Sequence, residues 1–240
     1  MRLAKYLAHC GVASRRGAEH LISHGVVTVG GKRVIDPARD VDASSGVAVN
    51  GTPVLPEPHE VWAVNKPLDV TSTAREPGRR RAVTDLVASE RRLYPVGRLD
   101  ADSTGLILLT NDGELANRLT HPRYEVPKTY LARLRRPPSA RDLRRLADGV
   151  KLDDGQTAPA EVALRGNADI EITIHEGRNR QIRRMIQKVG NEVVSLRRIR
   201  FASLELGDLP LGGSRQLSRS EVKRLWKDAG PMDEKAKVSR

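Results

Sequence analysis

Cysteine is almost absent from this 240-residue chain, in which Cys10 is the single example. One thiol can form neither an internal disulfide nor a cysteine-based zinc site, so both are excluded within the chain and a reducing compartment is favoured. No apolar run is long enough to span a membrane, and residues 1–16 lack the apolar core and cleavage site of a signal peptide. We therefore expect a cytoplasmic protein without a membrane partner.

Aromatic residues are also scarce, at 3% of the chain, and acidic residues are outnumbered by basic ones. Lys and Arg total 42 against 30 Asp and Glu, which gives a net charge of +12. A surplus of this size favours a polyanionic partner, nucleic acid first, although charge alone also fits a solvated basic surface. The length suits one mid-sized domain and one small domain.

Residues 1–54 have the pattern of a small domain with two helices and two hairpins. An apolar repeat of helical spacing ends at Gly11, and Ser14 is a suitable N-cap for a second helix. The segments "VVTVGGKRV" and "VAVNGTPV" each place a tight-turn pair between two short strands. Arg15 and Arg16 fall in the first turn of the second helix, where we expect them to contact phosphates of RNA.

A proline-containing linker at residues 55–60 predicts a domain boundary. Beyond it, residues 61–228 alternate between strand and helix patterns, and residues 229–240 read as a disordered tail. The chain as a whole is predicted to be α+β, with a small N-terminal domain followed by a larger mixed, mainly antiparallel sheet.

The stretch "GRLDADSTGLILLTNDG", residues 97–113, combines acidic side chains with a solid apolar run. A calcium loop starting at Asp100 would need a glutamate at its twelfth position, which is Asn111, and an exit helix where the apolar run lies. An aspartyl phosphatase would need the apolar strand before Asp100, but here it follows. The remaining readings are a single catalytic carboxylate beside arginines and an aspartate that caps a turn.

Several separate segments, in order, resemble the RsuA-type bacterial rRNA pseudouridine synthases. They are "NKP" at 65–67, "YPVGRLDADSTGLILLTNDGELANRLTHP" at 94–122, "KTY" at 128–130, "HEGRNRQIRRM" at 175–185 and "VVSLRRIRF" at 193–201. Within that family, "DGELANRLTHP" looks more like the enzymes of the large subunit. The segment "RLAKYLAHCGVASRRGAEHLISHG" resembles the alpha-L RNA-binding domain shared with a ribosomal protein of the small subunit.

The resemblance implies a pseudouridine synthase domain in which Asp100 is the catalytic aspartate. It implies that Tyr130 stacks on the target base and that Arg183 pairs with Asp100. It further implies that Leu196 lines the uracil pocket and that Arg98 helps to fill the space left by the flipped base. For Tyr130 and Leu196, ordinary strand and core positions are the alternatives.

Basic side chains near these segments are predicted to bind RNA, with a strong dependence of affinity on salt. A basic loop is predicted within residues 72–83. The predicted RNA contacts besides Arg15, Arg16 and Arg98 are Lys66, Arg79, Arg80, Arg81, Arg178, Arg180, Arg184, Arg197 and Arg198.

The leading hypothesis is an isomerase that converts a specific uridine of rRNA, expected in the large subunit, to pseudouridine. By the resemblance it needs no cofactor, and we expect a monomer with no metal site, since His20 and His24 lack a third ligand. The alternatives are a non-catalytic RNA-binding factor of ribosome assembly on the same fold and a metal-dependent phosphatase.

Overall fold

The chain is described by a computed structural model that covers residues 1–74 and 81–230. Its N-terminal part packs two helices on a four-stranded antiparallel sheet of strand order β2-β1-β3-β4. Ser14 caps the second helix by accepting a hydrogen bond from Gly17 N at 3.1 Å, as predicted. The elements are α1 Leu3–His9, α2 Arg15–Ser23, β1 Val27–Val29, β2 Lys32–Arg33, β3 Val47–Val49 and β4 Thr52–Pro53.

The larger part is a mixed, mainly antiparallel sheet with helices on both faces, which confirms the predicted fold class. Its strands are β5 Val61–Lys66, β6 Tyr94–Val96, β7 Thr104–Thr110, β8 Lys128–Leu134, β11 Glu161–Leu164, β12 Asp169–Ile174, β13 Val193–Phe201, β14 Leu204–Glu205 and β15 Ser214–Gln216, and β9 Lys151–Leu152 and β10 Gly155–Gln156 form a separate hairpin. Its helices are α3 Gly113–Thr120, α4 Ala140–Asp148, α5 Gln181–Lys188 and α6 Arg219–Asp228.

Strand β7 lies inside the sheet, between β5 and β13. Ile107 and Leu109 belong to the core under α4 and α5, whereas Leu106 and Leu108 belong to the core under α3 and α6. Because both faces are covered, the strand is a continuous apolar run and does not alternate with polar residues. The pairing of β7 with β13 is parallel, in contrast to the antiparallel pairings of the other described strands.

Several expectations from the sequence need correction. Helix α3 and the β9–β10 hairpin were not predicted, because short segments carry weak periodicity. The segment "RNRQIRRMIQKVG", residues 178–190, has the pattern of a helix, but helix α5 begins only at Gln181, since Arg180 has a left-handed φ of 49°. Ala229 was placed in a disordered tail, yet it is fully buried in the core under α6. The rest of the predicted tail, residues 231–240, lies outside the described residues.

The predicted boundary fits the element order, since no helix or strand lies between Pro53 and Val61. The linker contacts both parts: Glu57 N donates to His9 O at 3.1 Å, and His59 Nδ1 lies 3.2 Å from Asp112 Oδ2. The rings of His9 and His59 also meet edge to face, with centroids 6.1 Å apart.

Replacing Gly105 with alanine should destabilise the protein strongly. Gly105 has φ +103°, and an added Cβ would lie 2.2 Å from the backbone oxygen of Arg198. Strain and overpacking together should lower the free energy of unfolding by about 3 kcal/mol or more. Gly51→Ala is the matched control: its φ is +80° but a Cβ would meet no atom within 4 Å. Urea titrations of both variants test this, and equal losses would contradict it.

Candidate active site

A cavity of about 350 Å³ opens where the loop before β7 meets β8, β13 and the start of α5. Three residues singled out in the sequence, Asp100, Tyr130 and Leu196, line it together. Four of the predicted RNA contacts also line it, namely Arg98, Arg178, Arg180 and Arg198. Residues far apart in the sequence are thus brought to one concave site, the usual form of an active site.

The loop that carries Asp100 is held by hydrogen bonds on both sides of that residue. Ser72 is 8% exposed, and its hydroxyl donates to Leu99 O at 2.7 Å and accepts from Leu99 N at 3.0 Å. Asp69 N donates to Ala101 O at 2.9 Å. These contacts fix the backbone before and after Asp100, so the position of its carboxylate is set by the neighbouring segment.

Lys66 supports the same segment from beneath. Its side chain is fully buried, and Nζ donates to Pro67 O and Val70 O, both at 2.9 Å. Burial lowers the pKa of Lys66 to about 8, although the nearby carboxylates of Asp102 and Asp100 oppose this shift. The structure contradicts the predicted RNA contact of Lys66, because an enclosed ammonium cannot reach a phosphate.

Asp102 is bound by arginines of α5 and of the turn that precedes it. Arg180 Nη2 donates to Asp102 Oδ2 at 2.8 Å, and Arg183 donates from Nη2 to Asp102 O at 2.8 Å. Partial burial raises the pKa of Asp102, but the hydrogen bond from Arg180 and the charges of both arginines outweigh it and leave that pKa below its ordinary value. The predicted pairing of Arg183 with Asp100 is wrong in this structure, since the ion pair is with Asp102.

One wall of the cavity combines aromatic, aliphatic and cationic side chains from β8 and β13. Tyr130 and Leu196 are each 7% exposed and belong to the same core. Lys128 lies two residues before Tyr130 on β8, and its Nζ donates to Val126 O at 2.9 Å. Burial, with a smaller effect from the charge of Arg198, lowers the pKa of Lys128 to about 8. The wall therefore carries an ammonium that can lose its proton near neutral pH.

Arg178 and Arg184 hold the β9–β10 hairpin against α5. Arg178 donates to Asp154 O at 3.2 Å and to Gly155 O at 3.1 Å, and it pairs with Glu176 at 3.0 Å. Arg184 pairs with Asp154 at 2.9 Å. These internal partners occupy many of the donors of both arginines and argue against the predicted RNA contacts. Arg79 and Arg80 lie outside the described residues.

A second cavity, of about 510 Å³, lies between the two parts of the chain. The N-terminal part contributes Lys5 and Arg15, and the larger part contributes Arg92 and Tyr94. Within the described residues, none of these three cations forms an ion pair. Arg16 is exposed and lines neither cavity. The second cavity is therefore a basic cleft that both parts of the chain build.

Metal ligands are not grouped in the part of the chain that the structure describes: no three His, Cys, Asp or Glu side chains are placed to hold an ion. In the same part, none of the helices has the length and apolar character needed to cross a bilayer.

The chain thus combines a small domain of helices and hairpins with a larger sheet that carries an aspartate-lined cavity. Residues 60–188 match the RNA pseudouridylate synthase family, and residues 1–47 match the S4 domain. The chain belongs to the RNA pseudouridylate synthase family. The predicted family and enzyme class, an isomerase, are confirmed.

Relatives and a solved structure agree with this over nearly the whole chain. The Bacillus subtilis (strain 168) ribosomal large subunit pseudouridine synthase B is 46% identical over an alignment of 231 residues that covers 93% of this chain and 95% of that protein. The Salmonella typhi dual-specificity RNA pseudouridine synthase RluF is 38% identical over 94% of this chain and 78% of that one. A crystal structure of a pseudouridylate synthase superposes with a TM-score of 0.70, at 28% identity over 94% of this chain and 99% of that one.

Sequence reasoning missed Ser72 and Lys128 and misassigned Arg198. Ser72 gives no signal, because its role depends on a contact with Leu99, 27 residues away. Lys128 and Tyr130 are two apart on a strand, a spacing that places both on one face and was available from the sequence. Arg198 follows Leu196 by two residues on β13, so the same spacing predicts that both lie on one face of the strand. Arg198 was instead grouped with the arginines expected to contact phosphates.

The ammonium of Lys128 should titrate with a midpoint about 8, well below the ordinary lysine value of 10.5. Between pH values of about 8 and 10.5 the unfolded chain keeps the proton on Lys128 and the folded protein does not. The contribution of Lys128 to the free energy of unfolding should therefore rise with pH over this range. Carbon-13 NMR of lysine Cε atoms measures the midpoint, with Lys128→Met and Lys66→Met as the variants that assign the two low signals. A Lys128 midpoint above 10 would contradict it.

Proposed function

We propose that this chain isomerises a specific uridine of ribosomal RNA, in the large subunit, to pseudouridine, with Asp100 as the catalytic carboxylate. The observation that carries the proposal is the presence of Asp100, Tyr130 and Leu196 on one cavity. Support for the substrate comes from the relative of 46% identity, which is named for the large ribosomal subunit. The monomeric state and the cytoplasmic location stay predictions.

The cavity offers what a uridine taken out of the RNA stack needs. Extrusion of a base costs a few kcal/mol, and stacking on an aromatic ring regains about 1–3 kcal/mol. Tyr130 supplies that ring and Leu196 supplies an apolar wall beside it. The exposed Arg98 at the same cavity is suited to the space that the base leaves in the RNA.

Asp100 then acts at the ribose. Its carboxylate either attacks C1′ or takes the proton from C2′, and in both routes the bond from C1′ to N1 of the base breaks. The base turns within the cavity and rejoins C1′ through C5 as the bond from Asp100 to C1′ breaks or as Asp100 returns the C2′ proton. C5 then loses its proton and N1 takes one up, so the product is an isomer of the substrate. Every one of these steps uses side chains of the protein alone, and the proposed mechanism includes no cofactor.

Asp100→Asn should abolish the reaction, because an amide neither attacks C1′ nor accepts the C2′ proton. We expect a rate lower by about 10³-fold or more. Pseudouridines in rRNA treated with each protein are mapped by carbodiimide-dependent stops of reverse transcription. Asp153→Asn is the matched control, since Asp153 is exposed and pairs with Lys188 away from the cavity. Reverse-transcription stops that persist with Asp100→Asn would contradict the assignment of Asp100 as the catalytic carboxylate.

The same map tests the activity itself. A wild-type protein that binds rRNA but adds no stop would support a non-catalytic assembly factor on this fold. A new stop names the target uridine and its subunit, and a stop confined to small-subunit rRNA would overturn the proposed substrate.

The basic cleft should hold the RNA backbone during this reaction. The cleft gathers Lys5, Arg15 and Arg92 around one carboxylate, Glu114, which pairs with Arg118. The cleft therefore keeps an excess of positive charge that a bound anion would offset. Arg15→Gln and Arg92→Gln should each weaken RNA binding and lower the slope of log affinity against log salt by about 1. Arg144→Gln, an exposed arginine outside both cavities, is the control. Filter binding at several salt concentrations measures the slopes; slopes equal to the control would refute the role of the cleft.

A further inference from the structure

Arg198 is a buried cation without a counter-ion. Its side chain is 1% exposed, among the largest fully buried side chains of the described residues. Nε donates to Leu106 O at 2.6 Å, and within the described residues this is the hydrogen bond that the guanidinium makes. Nη2 is buried and has no partner. Burying an unpaired charge is strongly unfavourable, so the position of this side chain calls for an acceptor from outside the chain.

The acceptor would have to come from the catalytic cavity, because Arg198 lines it with Asp100 and Tyr130. Aromatic rings hold the guanidinium there: its Cζ lies 5.9 Å from the ring centroid of Tyr130 and 4.9 Å from that of Phe201. Such contacts partly offset the cost of removing the cation from water. These contacts do not satisfy the hydrogen-bond donor at Nη2, because a ring face attracts a cation but does not accept a regular hydrogen bond.

A backbone phosphate is a poor candidate for this acceptor. Phosphates stay at the surface of a bound RNA, whereas the guanidinium is enclosed within the sheet at β13. The group that enters the cavity deepest is the flipped uracil, which carries two carbonyl oxygens. Lys128, whose charge also faces this space, adds to the positive potential.

We infer that Arg198 donates a hydrogen bond to a carbonyl oxygen of the uracil ring and stabilises the negative charge of that ring after it leaves the ribose. This inference rests on the proposed function. When the C1′–N1 bond breaks, its electron pair stays on the ring and is shared between N1 and the carbonyl oxygens. Asp100 compensates on the sugar side, by bonding to C1′ or by taking the C2′ proton. The charge disappears when C5 bonds to C1′, and the later loss of the C5 proton is balanced by protonation of N1.

A fixed donor aimed at a developing oxyanion acts mainly on the chemical step. Arg198→Gln should therefore lower the single-turnover rate by about 10²-fold and change RNA affinity by less than about threefold. Arg198→Lys, which keeps a cation, should recover part of the rate. Arg200→Gln is the matched control, because Arg200 lies on the same strand, pairs with Glu205 and does not line the cavity.

Thio-substituted RNA tests the contact itself. Replacing the bonded carbonyl oxygen of the target uridine by sulfur, which accepts hydrogen bonds weakly, should slow the wild type and Arg200→Gln but not slow Arg198→Gln further. The RNAs to compare carry 2-thiouridine or 4-thiouridine at the mapped site. If both thio effects persist at full size in Arg198→Gln, or if its rate on uridine equals that of the wild type, the inference is overturned.

Two controls distinguish a missing uracil contact from misfolding of the variant and from failure of the proposed function. Urea unfolding and far-UV circular dichroism show whether Arg198→Gln is folded; if it is not, the thio comparison is made between the wild type and Arg198→Lys. There, a smaller thio effect supports the contact and an equal effect refutes it. If the wild type forms no pseudouridine the proposed function fails, whereas a wild type that reacts with no Arg198 dependence defeats this inference alone.

Discussion

The close approach of β7 to β13 at Gly105 is the constraint on which the site depends. At this point the backbone of Arg198 lies where a side chain would otherwise stand. The parallel pairing brings the loop with Asp100, which precedes β7, next to the segment of β13 with Leu196 and Arg198. Both faces of β7 are buried in separate cores, so the strand cannot shift without cost on either side.

The loop that carries Asp100 is stabilised by residues that do not line the cavity. Lys66 organises the turn at 67–70, and Ser72 and Asp69 then bond the backbone on either side of Asp100. Opposite this segment, Arg180 and Arg183 hold Asp102 and leave Asp100 to the cavity. The two neighbouring carboxylates thus differ in their surroundings, because arginines hold Asp102 whereas Asp100 lines the cavity.

The fold class, the hairpins and the cap at Ser14 could be predicted, because they depend on local patterns. Assembly of the cavity from Asp100, Tyr130 and Leu196 was anticipated through the family resemblance and not through spacing. The roles of the basic residues were predicted poorly, because the identity of a residue as arginine does not show which groups its N–H donors contact in the fold. Arg178 bonds carbonyls of the β9–β10 hairpin, and Arg198 is enclosed beneath the site. Both depend on contacts between segments distant in the sequence.

Helix α3 joins the two cavities of the molecule. Its first residues border the basic cleft, and Thr120 at its end borders the catalytic cavity. The cleft extends along α3 as far as Asn117, about one helical turn from Thr120. A ligand that occupied both cavities would run alongside this helix, so α3 fixes how far apart its two contact points on the protein would lie.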